Sequence, residues 1–312
     1  MKKGLLMVVS LASGCGVANQ PSPSFSQAVP SRKTLDLSVP AVDAPTAQRA
    51  SSAALSGQTA DLYVLTRQTA ANVNGAIGSV LETIGSIAGG PPTVVGATGA
   101  RWGPWTDALS PVAWQLVVQQ VESSAYAFQL QIRPKAGTDA DFQPFLRGAS
   151  EGVNADGPSQ GTFSVDFGVA HELDPMGNAV EGQVVAAWSV QPDAREVNLH
   201  LAGVHVAADP PATADVAAVF FSDGSGALGL TANPDPLGSI GGLEVEHVVS
   251  RWNATGAGMA EAELQQADGG ADIGVTECWD ASFGLIYLRS EMADGGTTEG
   301  DAKGCAFADS GG

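Results

Sequence analysis

Beyond Pro92, the apolar residues of this 312-residue chain recur at every second position. Tyr126, Phe128, Leu130 and Ile132 stand opposite Gln129, Gln131 and Arg133. A period of two matches the pleat of a β-strand, whose successive side chains point to opposite faces. Trp114, Leu116 and Val118 repeat the pattern, as do Phe163, Val165, Phe167 and Val169, and then Val184, Ala186, Trp188 and Val190. Further strands are expected over 197–204, 216–221, 227–232, 243–253, 258–266 and 282–292, divided by clusters of Gly, Asn, Asp and Pro. Many alternating strands with short turns specify an antiparallel meander or barrel rather than βαβ units. No sequence repeat of fixed period accompanies them.

Ahead of the strands the period changes. Leu62, Leu65, Thr69, Val73, Ile77, Val80, Ile84 and Ile87 recur at three- and four-residue steps, which makes one apolar stripe on a helix over 58–87. Gly75, Gly78 and Gly85 each weaken that helix by roughly 1 kcal/mol relative to alanine, so it needs a surface to lie on. Gly89-Gly90-Pro91-Pro92 ends it. The expected fold class is α+β: one N-terminal amphipathic helix packed on a curved antiparallel β-sheet, half-barrel or barrel-like. In element order only, residues 58–292 resemble the half-barrel of periplasmic lipoprotein carriers and related envelope lipoproteins.

The N-terminus reads as a targeting signal. Met1-Lys2-Lys3 is positive, residues 4–11 are apolar and too few to span a bilayer, and Ala12-Ser13-Gly14 are small. With the following cysteine, Leu11-Ala12-Ser13-Gly14-Cys15 resembles the lipobox of bacterial lipoproteins, with Ala12 where Leu is most frequent. The resemblance implies cleavage before Cys15 and lipidation of its thiol. Several acyl chains anchor stably, since each buried methylene adds roughly 0.8 kcal/mol. It also implies a place at the cell envelope, and Gly16 after the cysteine favours the outer membrane or cell surface. The expected organisation is a signal peptide over 1–14, a Ser-, Pro- and Ala-rich disordered tether over 15–57, a helix-plus-sheet domain over 58–292, and a Gly/Asp-rich tail over 293–312. With Cys15 assigned to lipid, Cys278 and Cys305 are left as a pair that an oxidising compartment joins. Such a disulfide closes a loop of about 28 residues, worth about 3 kcal/mol in the chain-entropy model, and ties the tail back.

The formal charge is −19, from 33 acidic and 14 basic residues. So acidic a surface repels phosphate backbones, which argues against nucleic acid as a partner. Gly148-Ala149-Ser150-Glu151-Gly152 spells a nucleophile elbow, but a turn-like run follows where the elbow needs a helix. Gly224-Ser225-Gly226-Ala227-Leu228-Gly229 spells a dinucleotide fingerprint, but two prolines follow, and Asp223-Gly224 reads better as a hairpin turn. His171, His200, His205 and His247 do not fall at zinc-motif spacing, so no metal site is assigned. The acidic turns around Asp139, Asp141, Asp235, Asp268 and 294–301 suit turn chemistry as well as calcium.

Aromatic residues gather at Trp102, Trp105 and Trp114, and again at Trp252, Trp279, Phe283 and Tyr287, where a sealed core and a ligand rim are both open readings. No catalytic residue and no cofactor is assigned. The sequence thus points to an exported lipoprotein with a binding or structural role at the envelope. Its partners would be the membrane, through the N-terminal lipid, and an envelope protein or a hydrophobic small molecule. A carrier or sensor holding that molecule between helix and sheet is the first alternative, and a hydrolase assembled from distant residues the second.

Overall fold

The alternation past Pro92 yields one antiparallel meander. The structure, a computed structural model, describes residues 24–41, 58–152, 158–206, 211–233, 243–266, 273–291 and 295–307. Cys15 and the acidic turns at Asp235 and Asp268 lie outside the described residues. The helices are α1 (Ser24–Gln27), α2 (Arg32–Leu35), α3 (Asp61–Gly89) and α4 (Phe167–Leu173). The strands begin with β1 (Val94–Val95), β2 (Gly99–Trp105), β3 (Val112–Gln120), β4 (Ala125–Pro134), β5 (Gln143–Glu151), β6 (Ser159–Asp166) and β7 (Val180–Val190). They continue with β8 (Ala194–Val206), β9 (Ala212–Phe221), β10 (Gly226–Asn233), β11 (Leu243–Trp252), β12 (Gly258–Gln266), β13 (Ile273–Trp279), β14 (Leu285–Glu291) and β15 (Thr297–Gly300). Among the described residues, these fifteen strands pair in chain order in one sheet, whose two ends, β1 and β15, do not meet.

Alternation decides which face is buried. On β4, Tyr126, Phe128, Leu130 and Ile132 are buried, while the residues between them are partly exposed. The same apolar cluster takes in Leu62, Leu65, Leu81 and Ile84 of α3. Contacts at the start of α3 reach the far end of the sheet. Its first turn has no side-chain cap of its own. Glu277 of β13 instead accepts a hydrogen bond from the Leu62 N–H at 2.7 Å, satisfying one of the donors a helix start leaves unpaired. One turn on, the hydroxyls of Thr66 and Ser250 (β11) share a buried hydrogen bond. The Tyr63 ring stacks on Phe283 at 4.3 Å and lies 5.6 Å from Trp279.

Four aromatic rings fill space left by a glycine directly across from them on the neighbouring strand. Phe128 faces Gly148, Trp188 faces Gly161, Trp252 faces Gly226 and Trp279 faces Gly258. A Cβ at any of these glycines would stand 2.3–2.6 Å from its ring. The arrangement repeats along the sheet and is a way of packing large rings over a glycine-rich ladder without voids.

Two expectations are corrected. Residues 24–41 do not behave as a tether: Phe25, Ala28, Leu35 and Leu37 are buried in the common core. The Leu37 N–H donates to the Asn74 side chain of α3, whose amide donates back to the Leu37 carbonyl. Phe167 and Val169 do not extend a strand but open α4. The expected Cys278–Cys305 disulfide ties the tail back, and within the tail β15 also extends the sheet beside β14. Among the described residues, no helix is long and apolar enough to cross a membrane.

Candidate functional site

A cavity of about 430 Å³ opens between the last turns of α3, the β2–β5 end of the sheet, and α4. Its apolar wall is Val80 and Ile87 of α3, Trp105 and Trp114 of the β2–β3 hairpin, Leu130, Phe145 and Phe167. Trp114 meets Phe145 edge to face at 5.3 Å, and Phe145 meets Phe167 at 5.8 Å. Such edge-to-face pairs hold ring orientation as well as burying area. Trp105 reaches its place through an irregular step in β2. Gly103 has φ +92°, the register shifts between Trp102 and Trp105, and a Cβ at Gly103 would stand 2.4 Å from the Trp105 ring. Only glycine allows that close, left-handed turn.

The polar groups around the cavity are engaged with backbone. Thr83 donates to the Ser79 carbonyl at 2.9 Å, Ser79 to Ala76 at 3.1 Å and Thr106 to Val112 at 2.6 Å. Lys135 holds the 106–110 loop by donating to the carbonyls of Asp107 and Ala108. Among the described residues, Asp107 is the one charged member of the lining. Two large apolar side chains stand almost fully in solvent beside the cavity, Leu109 at 99% exposure and Met176 at 94%. Leu109 sits between the lining residues Asp107 and Ser110, and Met176 adjoins Gly177.

The aromatic residues singled out in the sequence separate into two roles. Trp102 is buried and its indole donates to the Gly90 carbonyl at 2.8 Å, closing the exit of α3, whereas Trp105 and Trp114 line the cavity. Trp252 and Trp279 are core, with their indoles on the carbonyls of Gly224 and Gly256. Asp223-Gly224 forms the β9–β10 turn. Ser150 lies on β5, buried, with its hydroxyl on the Ala28 carbonyl, so that serine is structural.

The histidines also fall into two groups. On the outer face of β8–β11, His200, Asp215, Thr231 and His247 stand directly across from one another in one row. His200 contacts Asp215 at 2.7 Å and His247 contacts Thr231 at 3.0 Å, over a shallow depression of about 320 Å³ floored by Ala217 and Gly229. His171 and His205 instead both face Glu181, at 3.5 and 3.9 Å. Among the described residues, no group of three or more His, Cys, Asp or Glu side chains is placed to hold a metal ion. One buried acid stands apart. Desolvation pushes Glu277 up to about 7, the neighbouring Asp61 charge adds to the rise, and the backbone donors Leu62 and Asp61 only partly oppose it.

No family model, curated protein or solved structure matches the chain.

Proposed function

We propose that this chain is an exported bacterial envelope lipoprotein that binds a small apolar molecule in the cavity between α3 and the β2–β5 end of the sheet. In this reading the sheet is a curved half-barrel and α3 lies across its concave face as a fixed cover. Residues 1–14 are a leader, and lipid on Cys15 holds the mature chain at a membrane. The observation that carries the proposal is the cavity itself: about 430 Å³, walled by aromatic and aliphatic side chains. That size is within the range of sites for drug-sized or single-chain lipid ligands. Leu109 and Met176 add support, because exposed apolar residues beside a binding site suit the handover of a ligand that avoids water.

The rim selects the ligand's polar end. Asp107 is the charged residue of its lining, the nearby Lys135 is taken up by the Asp107 and Ala108 carbonyls, and the whole chain is strongly acidic. A neutral or cationic head is therefore favoured over a carboxylate. The purified mature chain should bind a fluorescent long-chain probe, and a monoacylglycerol or long-chain amine should displace it at lower concentration than the matching fatty acid. Val80→Trp, which fills the cavity from the α3 side, should weaken binding at least about tenfold, or 1.4 kcal/mol, without lowering the unfolding midpoint. Equal binding by Val80→Trp would place any ligand elsewhere and sink the proposal.

The anchoring half has its own check. Mass spectrometry of the membrane-extracted protein should find an acylated cysteine at the mature N-terminus, and Cys15→Ala should move the chain to the soluble fraction. A mature chain that begins elsewhere overturns the lipid anchor and leaves the cavity reading standing.

A further inference from the structure

We propose that the two loops beside the cavity, 106–110 and 174–178, dock on a zwitterionic phospholipid bilayer and insert Leu109 and Met176 into it. Among the described residues these are the two most exposed large apolar side chains, at 99% and 94%, and the next, Val121, is 60% exposed. Each follows another exposed apolar residue, Ala108 in one loop and Pro175 in the other. The loops come from distant parts of the chain, yet both border one opening. Asp107 and Ser110 of the first and Gly177 and Asn178 of the second line the same cavity.

Hydrogen bonds within each loop hold these side chains out. Lys135 donates to the Asp107 and Ala108 carbonyls at 2.9 and 3.0 Å, and the Ser110 N–H closes back on the Asp107 carbonyl at 3.3 Å. In the second loop the Gly177 and Asn178 N–H groups return to the Asp174 carbonyl at 3.2 and 2.9 Å, and the Asp174 carboxylate also accepts from Gly177. The His171 ring donates to the Asn178 carbonyl at 2.7 Å. An aliphatic side chain held in water gains free energy from any apolar phase that meets it. Backbone polar groups entering lipid cost free energy unless they are already hydrogen-bonded, and those beside the two tips largely are.

The pattern favours a bilayer over a protein partner. A stable protein interface takes roughly 800 Å² from each side, whereas Leu109 and Met176 are two aliphatic points on separate loops. Hydrocarbon needs no directional partner, because the hydrophobic effect is non-directional. Charge selects the headgroup. A cation and an anion, Lys135 and Asp107, stand together at the 106–110 loop, and they match the phosphate and the amine of a zwitterionic head. A strongly anionic surface is disfavoured, since the chain carries a net −19. Docked in this way, the cavity opens toward lipid, and an apolar molecule passes between bilayer and cavity without crossing water. That use of the contact rests on the cavity reading, whereas the contact itself is measured with no cavity ligand present.

The test is co-sedimentation of the mature chain, made without lipid, with phosphatidylcholine vesicles. The chain should partition onto them, and mixing in phosphatidylglycerol should weaken the partition at low salt. Leu109→Ser and Met176→Ser should each lower the partition coefficient at least about tenfold, the fold-change that burial of one aliphatic side chain carries, and the double variant should lower it further. Both positions are exposed, so unfolding midpoints should match the parent's, which separates a lost contact from a lost fold. Val121→Ser is the control: Val121 lies in the β3–β4 turn, at the other end of β3 from the 106–110 loop, and its loss should leave the partition as it was. A parent chain that does not bind phosphatidylcholine overturns the proposal and turns the tips to a protein partner. A double variant that binds like the parent, or a Val121→Ser variant that loses as much as Leu109→Ser, overturns it too, and tighter binding to the anionic vesicles overturns the choice of headgroup. Probe binding in vesicle-free solution reads the cavity alone, so failure of the docking and failure of the cavity reading are told apart.

Discussion

Trp279→Ala is expected to destabilise the chain by about 3–5 kcal/mol, the range for removing a buried tryptophan or phenylalanine from a core. Trp279 is 1% exposed, and its neighbours cannot collapse into the space it would leave. On one side its indole covers Gly258, which has no side chain to move in. On another it meets Tyr63, which is itself held by a hydrogen bond to the Pro40 carbonyl at 2.9 Å and by stacking on Phe283. Removing the ring also leaves the Gly256 carbonyl without its indole donor, at 2.9 Å. The cavity and the orphaned acceptor act together, which puts the expected loss in the upper part of the range.

Urea unfolding should show a lower midpoint at unchanged slope. Gly258→Ala approaches the same contact from the other side, since its methyl would stand 2.4 Å from both the Trp279 ring and the Arg251 carbonyl oxygen. It should cost about 1–3 kcal/mol through overpacking. The double variant should lose less than the sum of the two, because the ring half of the clash disappears with the ring. A loss below about 1 kcal/mol for Trp279→Ala, small beside the range for buried rings, would mean that this end of the sheet is not the packed core described.

Much of the architecture can be read in the sequence because alternation is a local property. Tyr126 to Ile132 announce a half-buried strand without knowledge of any partner, and the stripe from Leu62 to Ile87 announces α3 in the same way. What fails is whatever depends on the partner. Phe167 and Val169 continue the alternation of β6, yet Phe167, Ala170 and His171 also fall at helical steps, and seven residues are too few for either period to win. Tertiary packing decides the matter, of Phe167 against Phe145 and of Leu173 against the core.

Residues 24–41 have the proline-rich composition of a tether. They are fixed by a few groups, Phe25, Leu35 and the Leu37–Asn74 hydrogen bonds, whose docking surface lies in distant segments. The glycine–aromatic pairs are invisible for the same reason: each couples two strands at a separation set by that hairpin's own length. In the cavity wall, Trp105 and Trp114 were legible as aromatics in want of a role. Nothing local shows that Val80, Phe145 and Phe167 complete the wall, or that Glu181 stands between two histidines.

Glu277 gives the second large effect, and its sign is opposite to that of an ordinary surface acid. In the folded chain its carboxyl is pushed up to about 7 from an ordinary 4.5, so the folded state holds the proton more tightly than the unfolded state. Below both values the two states are equally protonated and the group contributes nothing. Between them, rising pH deprotonates the unfolded chain first, and stability falls by about 1.4 kcal/mol per pH unit. Above about 7 the penalty is complete, at about 3 kcal/mol for this shift. The unfolding midpoint should therefore fall as pH rises from about 5 to about 8. Glu277→Gln keeps an acceptor for the Leu62 N–H but has no proton to lose, so it should unfold at higher urea than the parent at pH 8 and show a flatter profile. Repulsion among the other acids is common to both chains, so the difference between their profiles isolates Glu277. Parallel profiles would mean that the carboxyl titrates normally. A real difference would mean that burying the ionised carboxylate between β13 and the first turn of α3 costs more than its Leu62 and Asp61 N–H donors return, at the opposite end of the helix from the cavity wall that Val80 and Ile87 supply.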